Sequence, residues 1–585
     1  MKALALAIVI AAIATSAFAQ GGPGGGQGPQ GAGAAGRGQR PARAQAAPAD
    51  APKGTAVLRG SIVAADNGSP IRRAQVRVSA PDARESRVAI TDAQGRFEIK
   101  ELPAGRYTMT ASKGGFVALQ YGQRRPSESG TPIELGDGQT MDKLAIALPR
   151  GSVLGGRITD EFGEPVANAS VTALRYVYAA GARRMTPAGQ NARDTTDDQG
   201  HFRLFGLPPG EYYVSATLRS GIEATDPSGE TPGYASTYFP GTSNVAEASR
   251  VTLVVGQENT NISFGLIATR LVRISGQVLT SDGTPASNGT IMLLASNSGG
   301  RPGQAFQQGG SGGRIDQTGT FRLTSVAPGR YQVQARSGGG GPGGPFMGRE
   351  FELARMDLTV GTDDVEGLTL VTAPGASVSG IIVSDTGEPF DFKPAQLQIS
   401  ARPANPAAAF GGGQPGTRVG DDWSFSLRNI TDAVVVRTGA PQAWNLKSVS
   451  INGQDITDTP MEFPPGQNVT GMQIVLTKKV GTLTGQVTDS KGNPVLDATV
   501  VVFPSNDKLW MYQSRFIKAA RPDQDGKYRV TALPAESYLV VALQGLEDGQ
   551  AGDPEFLASV KDLATKLELS DGESKAVDVK LSAVK

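Results

Sequence analysis

The chain has 585 residues, which is too long for a single hydrophobic core and predicts several domains of ordinary size. Its 56 basic and 55 acidic residues give a formal net charge of +1, which excludes attraction to nucleic acid or anionic lipid as its main function. Because cysteine is absent and histidine occurs once, disulfides, thiol nucleophiles and Cys/His zinc sites are excluded too.

The N-terminus has the pattern of an export signal. Met1-Lys2 precede an apolar run from Ala3 to Ile13, and Ala17-Phe18-Ala19 stands before Gln20. This predicts a signal peptide over residues 1–19, cleaved after Ala19. Residues 20–53 are rich in glycine, proline and alanine without periodicity, which predicts a disordered linker. No later segment is long and apolar enough to span a membrane, so we expect an exported protein that is periplasmic, outer-surface or extracellular.

From Thr55 onward, an alternating strand with a central glycine recurs and marks the start of each domain. The five glycines are Gly60, Gly156, Gly276, Gly380 and Gly485. They are spaced about 100 residues apart, the length of one small β-sandwich domain. Each domain ends in a Gly-led turn and a second alternating strand, such as Leu144 to Leu148, which we expect to close the sandwich.

A hairpin motif lies between these two strands. It combines an Asp-Gly turn, a short strand, a Pro-Gly turn and a second strand that opens on tyrosine. The clear copies are Asp92–Phe97 with Leu102–Tyr107, Asp197–Phe202 with Leu207–Tyr212, Asp316–Phe321 with Val326–Tyr331, and Asp523–Tyr528 with Leu533–Tyr538. A worn copy around Asp422–Phe425 lacks the Pro-Gly half. The motif therefore predicts tandem β-domains, of which the fourth is divergent.

Short joints and one helix complete the predicted elements. Only Pro149 to Ser152 separate the first closing strand from the next opening strand, which favours an extended, semi-rigid row of domains. Residues Pro554 to Leu567 place apolar side chains on one helical face and predict a helix packed on the last domain.

The opening glycine, Asp-x-x-Gly-x-Phe and Leu-Pro-x-Gly-x-Tyr together resemble the carboxypeptidase regulatory-like domain. The resemblance covers nearly all of the chain after the linker, and it implies an all-β fold of five tandem seven-stranded sandwiches. These are transthyretin-like (prealbumin-like) domains, related to collagen-adhesin B-type modules and carbohydrate-binding-like folds. The predicted domains are domain 1 (54–149), domain 2 (150–268), domain 3 (269–373), domain 4 (374–479) and domain 5 (480–585). The arrangement is similar to secreted tandem-repeat bacterial proteins.

Enzymatic chemistry finds little support in the sequence. A zinc carboxypeptidase site or a serine triad would need histidine, and His201 stands at a turn position that other repeats fill with Arg96, Thr320 or Lys527. The aspartates of the repeated turns are interpreted as turn formers, with calcium binding as the alternative. A Lys–Asn isopeptide bond is disfavoured because the opening strands carry Arg59, Arg157 and Gln486. We therefore expect a non-enzyme without metal or other cofactor.

Surface recognition is the remaining function, and aromatic rings are the candidate contacts, since flat rings stack on sugar faces. The candidate ligand-binding residues are Tyr176, Tyr178, Tyr234, Tyr238 and Phe239 in domain 2, and Trp510 and Tyr512 in domain 5. Trp423 and Trp444 are assigned to the core. The sequence thus predicts a monomeric binding or spacer protein of the cell envelope whose partner is a polysaccharide. The alternative is a scaffold that binds an envelope protein, associated with an envelope or secreted peptidase system.

Overall fold

A computed structural model describes residues 54–80, 85–179, 181–189, 191–218, 232–287, 289–295, 312–338, 351–405, 417–441 and 443–583. The predicted signal peptide (1–19) and linker (20–53) lie outside these residues. The described chain is built almost entirely of β-strands, so the predicted all-β tandem architecture is confirmed. No helix within it is long and apolar enough to cross a bilayer.

The strands of domains 1 and 2 alternate with short turns. Those of domain 1 are β1 (Ala56–Ala64), β2 (Gln75–Ala80), β3 (Glu85–Ile90), β4 (Arg96–Leu102), β5 (Gly105–Ser112), β6 (Leu119–Gln120), β7 (Ile133–Leu135) and β8 (Thr140–Leu148). Those of domain 2 are β9 (Ser152–Thr159), β10 (Ser170–Ala179), β11 (Ala182–Pro187), β12 (Arg193–Thr195), β13 (His201–Leu207), β14 (Gly210–Thr217), β15 (Pro232–Tyr234), β16 (Thr237–Tyr238), β17 (Val251–Leu253), β18 (Glu258–Asn259), β19 (Phe264–Gly265) and, at the next joint, β20 (Ala268–Arg270). A single 3-10 turn, Val245–Glu247, lies between β16 and β17.

Domains 3 and 4 follow the same order. The strands of domain 3 are β21 (Val272–Leu279), β22 (Thr290–Ala295), β23 (Gly312–Arg314), β24 (Thr320–Val326), β25 (Gly329–Ser337), β26 (Glu352–Val360), β27 (Val365–Val371) and, at the joint, β28 (Ala373–Pro374). Those of domain 4 are β29 (Ala376–Ser384), β30 (Gln398–Pro403), β31 (Thr417–Arg418), β32 (Ser424–Ile430), β33 (Val434–Gly439), β34 (Asn445–Ile451), β35 (Gln454–Asp455) and β36 (Asn468–Thr477). A 3-10 turn, Pro394–Gln396, precedes β30.

Domain 5 contains the described α-helix. Its strands are β37 (Gly481–Thr488), β38 (Thr499–Pro504), β39 (Lys518–Ala520), β40 (Lys527–Leu533), β41 (Glu536–Leu543), β42 (Thr565–Leu569), β43 (Ser574–Ala576) and β44 (Val579–Ser582). The helix α1 (Pro554–Val560) is flanked by the 3-10 turns Gln550–Gly552 and Lys561–Leu563, and a third 3-10 turn is Asp507–Leu509.

Domain 1 shows the common plan. One sheet has the order β4-β1-β8, with β4 antiparallel and β8 parallel to β1, and the other has the order β3-β2-β5 followed by β6 and β7. It contains eight strands instead of the predicted seven because the edge beside β5 is divided into two short strands. The opening strands β9, β21, β29 and β37 have the same antiparallel and parallel neighbours.

Hydrophobic cores form within each domain. Those of domains 1 to 4 are drawn from residues 56–148, 154–266, 272–370 and 376–476. Domain 5 has two cores, because β38 and β41 are buried on both faces. Val501 and Phe503 point away from the sandwich interior and pack, with Leu557 and Val560 of α1, in the second core. The continuous apolar run of β38 is what a doubly buried strand requires.

The repeated glycine is explained by the closing strand. An ideal Cβ on Gly60 would lie 1.9 Å from the carbonyl oxygen of Leu144 in β8, much closer than any real contact. The corresponding distances are 2.0, 2.0, 1.9 and 1.9 Å for Gly156, Gly276, Gly380 and Gly485. The register of β1 against β8 shifts between Leu58 and Gly60, so the two backbones meet at a bulge. A side chain here would push the closing strand away.

The turn and hairpin motifs are held by local hydrogen bonds. Oδ1 of Asp316 accepts hydrogen bonds from the backbone N–H groups of Thr318 and Thr320, at 2.8 and 2.9 Å. The hydroxyl of Tyr331 donates to the carbonyl of Ala327 at 2.8 Å, and Tyr538 donates likewise to Pro534. The aspartate therefore shapes the first turn and the tyrosine ties the second turn to its own strand.

Domain 4 replaces the turn glycine by tryptophan. Trp423 has φ +63°, in the left-handed region where the equivalent Gly95 of domain 1 has φ +72°. Its ring lies 4.2 Å from that of Phe390, which is 4.8 Å from Trp444. Trp444 is buried and Trp423 partly buried in the domain core, as assigned from the sequence. Aromatic packing thus accompanies a backbone conformation that is costly for a bulky residue.

The predicted helix is too long. It ends at Val560, and Leu567 lies in β42, opposite Tyr538. Asp553 caps the helix by accepting from the N–H of Glu555. The side chains of residues 566–569 alternate between exposed and buried, which is the period of a strand. Pairing with β41 therefore makes this segment a strand, although its apolar residues also fit a helical pattern.

The expected extended row of domains is also wrong, because domain 5 contacts three others. The guanidinium of Arg521 donates to the carbonyl of Ser129 in domain 1 at 2.7 Å. Arg515 binds both carboxylate oxygens of Asp458 in domain 4, with Nε at 3.1 and 2.9 Å. Gly549 lies against the backbone of Tyr178 in domain 2. Short joints favoured an extended row, but these long-range contacts have no signature in the sequence.

We expect Gly276→Ala to destabilise domain 3 by roughly 1–3 kcal/mol, because its Cβ would overlap Leu368 of the closing strand. Hydrogen exchange of peptides from β24 and β27 measures this domain by itself, as a multidomain chain does not unfold in two states. Ser275→Ala, one residue earlier in β21, is the matched control and should change exchange little. Equal protection in both variants would contradict the role of the glycine.

The pKa of Asp316 is lowered to about 2, chiefly by hydrogen bonds from the side chains of Thr320 and Thr318. Since this folded-state pKa lies below the ordinary 3.8, the aspartate stabilises the turn above pH 4, and this contribution is lost as the pH falls toward 2. Hydrogen exchange should show residues 316–321 losing protection over that window. Asp316→Asn should flatten this pH dependence, whereas Asp363→Asn, in an exposed turn of the same domain, should leave it unchanged.

Candidate functional site

Three tyrosines share the outer face of a sheet in domain 2. In β14, Tyr212 and Val214 point into the core, so Tyr213 points outward. Tyr213 is paired with Leu174 of β10, and Tyr176 lies two residues further on the same face. Tyr238 of β16 is paired with Ser215, the next outward residue of β14. We call Tyr176, Tyr213 and Tyr238 the tyrosine surface.

The tyrosine surface is ordered by contacts among its own rings. The rings of Tyr176 and Tyr213 meet edge to face, with 5.7 Å between their centroids. Burial raises the pKa of Tyr238, and the neighbouring Tyr176 raises it further. Tyr176 remains 37% exposed, whereas Leu174 on the same face is buried. The surface therefore offers accessible ring area at Tyr176 over a packed base.

Two arginines border the tyrosine surface. The guanidinium carbon of Arg183 in β11 lies 4.6 Å from the ring centroid of Tyr176, a cation–π contact. Arg250 forms a 3.1 Å ion pair with Glu211, and its pKa is raised by that hydrogen bond and by the neighbouring Tyr213. Rings for stacking thus stand beside charged donors and an acceptor, which is the combination that carbohydrate recognition uses.

Tyr213 is the residue that the sequence analysis missed. The motif tyrosine Tyr212 drew attention to the buried side of β14, but strand alternation requires its neighbour to face the other way. Two consecutive tyrosines at the start of a strand therefore predict one core residue and one surface residue. This signal was present in Glu211-Tyr212-Tyr213-Val214.

The other candidates in domain 2 serve other contacts. The hydroxyl of Tyr234 donates to the carboxylate of Glu161 at 2.8 Å, and burial, followed by this hydrogen bond, raises the pKa of Tyr234 to about 12. Phe239 faces the core, 5.9 Å from the ring of Phe264. The peptide bond between Phe239 and Pro240 is cis. Neither ring is part of the tyrosine surface.

The hairpin of β10 and β11 brings Tyr178 and Tyr512 into one contact between domains. An ideal Cβ on Gly181 at the hairpin tip would lie 3.8 Å from the Cα of Tyr512. On the same side, the carbonyl of Tyr178 would lie 2.4 Å from a Cβ on Gly549. The two tyrosines therefore lie at the junction of domains 2 and 5, and Tyr178, two residues beyond Tyr176 in β10, adjoins the tyrosine surface at that end.

Trp510 lies in the second core of domain 5, which corrects its assignment as a ligand-stacking residue. It is 8% exposed, and its indole N–H donates to the carbonyl of Pro504 at 2.8 Å. Its ring also packs 5.6 Å from that of Phe503. A sugar has no access to this ring face, since the short helix covers the core to which it belongs.

Metal and nucleophile chemistry has no assembled centre in the described part of the chain. There, no group of three or more histidine, aspartate or glutamate side chains converges. His201 is exposed, and its Nδ1 lies 3.8 Å from the carboxylate of Asp197, which itself caps the turn. The carboxylate oxygens of the repeated aspartates accept hydrogen bonds from backbone N–H groups of the turn, as at Asp92 and Asp523.

The fold defines a protein of tandem β-sandwich domains. The chain belongs to the carboxypeptidase regulatory-like domain family, whose profile matches residues 57–149, 153–266 and 482–582, more than half of the chain. The matched residues are those of domains 1, 2 and 5. No curated protein matches the chain significantly in sequence.

Three bacterial pilus proteins align with parts of this chain in the comparison with solved structures. A streptococcal ancillary pilin matches over 54% of this chain and 98% of its own, with 14% identity and a TM-score of 0.19. GBS52, the minor pilin of Streptococcus agalactiae, matches over 36% and 95%, with 17% identity and a TM-score of 0.20. The pilus protein RrgB from Streptococcus pneumoniae matches over 74% and 98%, with 8% identity and a TM-score of 0.15. Scores this low establish no shared overall structure.

Proposed function

We propose that this chain is an exported, non-enzymatic binding protein of the cell envelope, and that it holds a polysaccharide on the tyrosine surface of domain 2. The observation that carries the proposal is the packed, outward-facing group of Tyr176, Tyr213 and Tyr238 beside Arg183. The N-terminal signal pattern supports export.

The arrangement suits sugars for a physical reason. A pyranose ring has an apolar face of C–H groups that stacks on an aromatic ring, and hydroxyls around its edge that need hydrogen-bond partners. Tyr176 offers the ring, while the Arg250–Glu211 pair beside Tyr213 offers a donor and an acceptor. The rings are already fixed by the sheet, so little conformational entropy is lost on binding.

We expect Tyr176→Ala and Tyr213→Ala each to weaken glycan binding by roughly tenfold, since each removes ring contact from the surface. A glycan array with the mature protein identifies the ligand, and affinity gel electrophoresis with that polysaccharide measures the loss. Phe205→Ala is the matched control, because Phe205 is an exposed aromatic on the other sheet of the same domain. The control should bind like the unaltered protein.

Two outcomes would contradict this proposal. One is a glycan whose affinity is the same in both tyrosine variants and in the control. The other is an absence of glycan binding together with co-purification of an envelope protein, which would favour the protein-interaction scaffold.

A further inference from the structure

A cavity of about 470 Å³ lies between domains 1 and 5, its charged lining is cationic, and no residue of the tyrosine surface lines it. Its charged lining residues are all basic, namely Arg106 from domain 1 and Lys518, Arg521 and Arg529 from domain 5. Cavities of this size hold small ligands. Domain 1 contributes one wall through β5 and the loop before β7, and domain 5 the other through β39 and β40.

Part of this positive charge is already neutralised. Arg521 is 5% exposed and pairs with Asp497 at 2.9 Å, with Glu128 at 3.8 Å. Arg106 lies 3.6 Å from Glu134 and donates to the carbonyl of Arg529. The contacts of Arg521 with Glu128 and of Arg106 with the carbonyl of Arg529 join the two domains, and Lys518 and Arg529 remain as the charges to be explained.

Lys518 and Arg529 have no hydrogen-bond or ion-pair partner for their side chains among the described residues. Arg529 points outward from β40, and Lys518 stands on β39, which is not paired with β40 but contacts it across the sandwich. Burial lowers the pKa of Lys518, which reflects the cost of an unpaired ammonium away from water. Nε of Arg521, also buried, has no partner in the described part of the chain. Lys518 and Arg529 thus line one cavity without an acceptor for either charge.

Neutral polar groups complete the lining. Thr108 and Thr531 face the cavity, and neither hydroxyl makes a hydrogen bond within the described residues. The side-chain oxygen of Gln120 accepts a hydrogen bond from the N–H of Gly130, so its side-chain amide N–H group remains for a ligand. Hydroxyl and amide groups that are free to hydrogen-bond thus lie beside unpaired cations. This combination suits a ligand that carries both an oxyanion and several hydroxyl groups.

We propose that this cavity binds an acidic saccharide, whose carboxylate or phosphate is held by Lys518 and Arg529, and whose hydroxyls meet Thr108 and Thr531. The inference is independent of the proposed function, because it involves another site and other residues. Charge-assisted hydrogen bonds from two or three donors would supply the affinity. Since both domains line the site, the ligand also ties domain 1 to domain 5.

A second cavity, of about 330 Å³ between domains 4 and 5, shares Lys518 and Ala532 with the first. Its lining includes Lys447 and Lys479, together with Arg437 and Arg515, whose guanidinium groups are occupied by Asp458 and backbone carbonyls. Asp571 is its acidic lining residue, and it pairs with Lys447 at 3.8 Å. The two cavities therefore form a continuous, mainly basic groove through Lys518, which suits an acidic chain longer than one sugar.

Isothermal titration calorimetry of the mature full-length protein tests this with digalacturonic acid, glucose 6-phosphate, neutral galactobiose and inorganic phosphate. We expect one or both acidic sugars to bind, and Lys518→Met and Arg529→Gln each to weaken that binding by roughly tenfold or more. Lys527→Gln is the matched control, since Lys527 lies on the same strand β40 and lines an adjoining cavity that shares Arg106 and Arg529, but does not line this one. Thermal unfolding should show the ligand stabilising the control and not the Lys518→Met variant.

The tyrosine surface stays intact in all of these variants, so the two proposals fail separately. Binding of galactobiose as tight as that of the acidic sugars would overturn the cationic site, as would equal affinity in all three variants. Inorganic phosphate binding as tightly as glucose 6-phosphate would overturn the saccharide part of the proposal. An absence of binding by every acidic probe would overturn the whole.

Discussion

The contact between one glycine and one carbonyl oxygen decides how every domain of this chain is built. The closing strand lies parallel to the opening strand, and at Gly60 and its four counterparts the two backbones approach so closely that no Cβ fits. Because the last strand of each domain pairs with the first, the domain is complete before the next begins. The hairpin between them can then vary in length and surface without changing the sandwich.

Ionic contacts between domains form a second level of organisation, and they concentrate on domain 5. Arg521 reaches domain 1, and Arg515 reaches Asp458 of domain 4, where Arg437 also pairs with the same carboxylate. These guanidinium groups are largely buried, so breaking one pair would leave an uncompensated charge and cost far more than losing an exposed pair. Such contacts determine how the domains are placed relative to one another. The repeated glycines and prolines determine the fold of each domain but not this placement.

Much of the fold could be predicted because its signals are local. Gly276, Asp316 and Tyr331 each act within a turn or a strand pair, so their spacing alone indicates a hairpin in a sandwich. The end of α1 and the burial of Trp510 could not be predicted in this way. Both depend on tertiary packing, since β38 is buried on two sides. Leu567 and Leu569 are compatible with a helix or a strand, and only the pairing with β41 decides between the two.

The candidate site was predicted in part for the same reason. Tyr176 and Tyr238 share one face because β14 lies between their strands, and only that pairing reveals Tyr213 as a third ring on this face, in contact with Tyr176. Outward residues are free of the packing demands that fix the inner face, so neighbouring repeats can carry different chemistry on one scaffold. Domain 2 uses that freedom for aromatic rings, and domain 5 uses it on β39 and β40 for unpaired cations. Both proposed binding sites therefore lie where the repeats differ from one another.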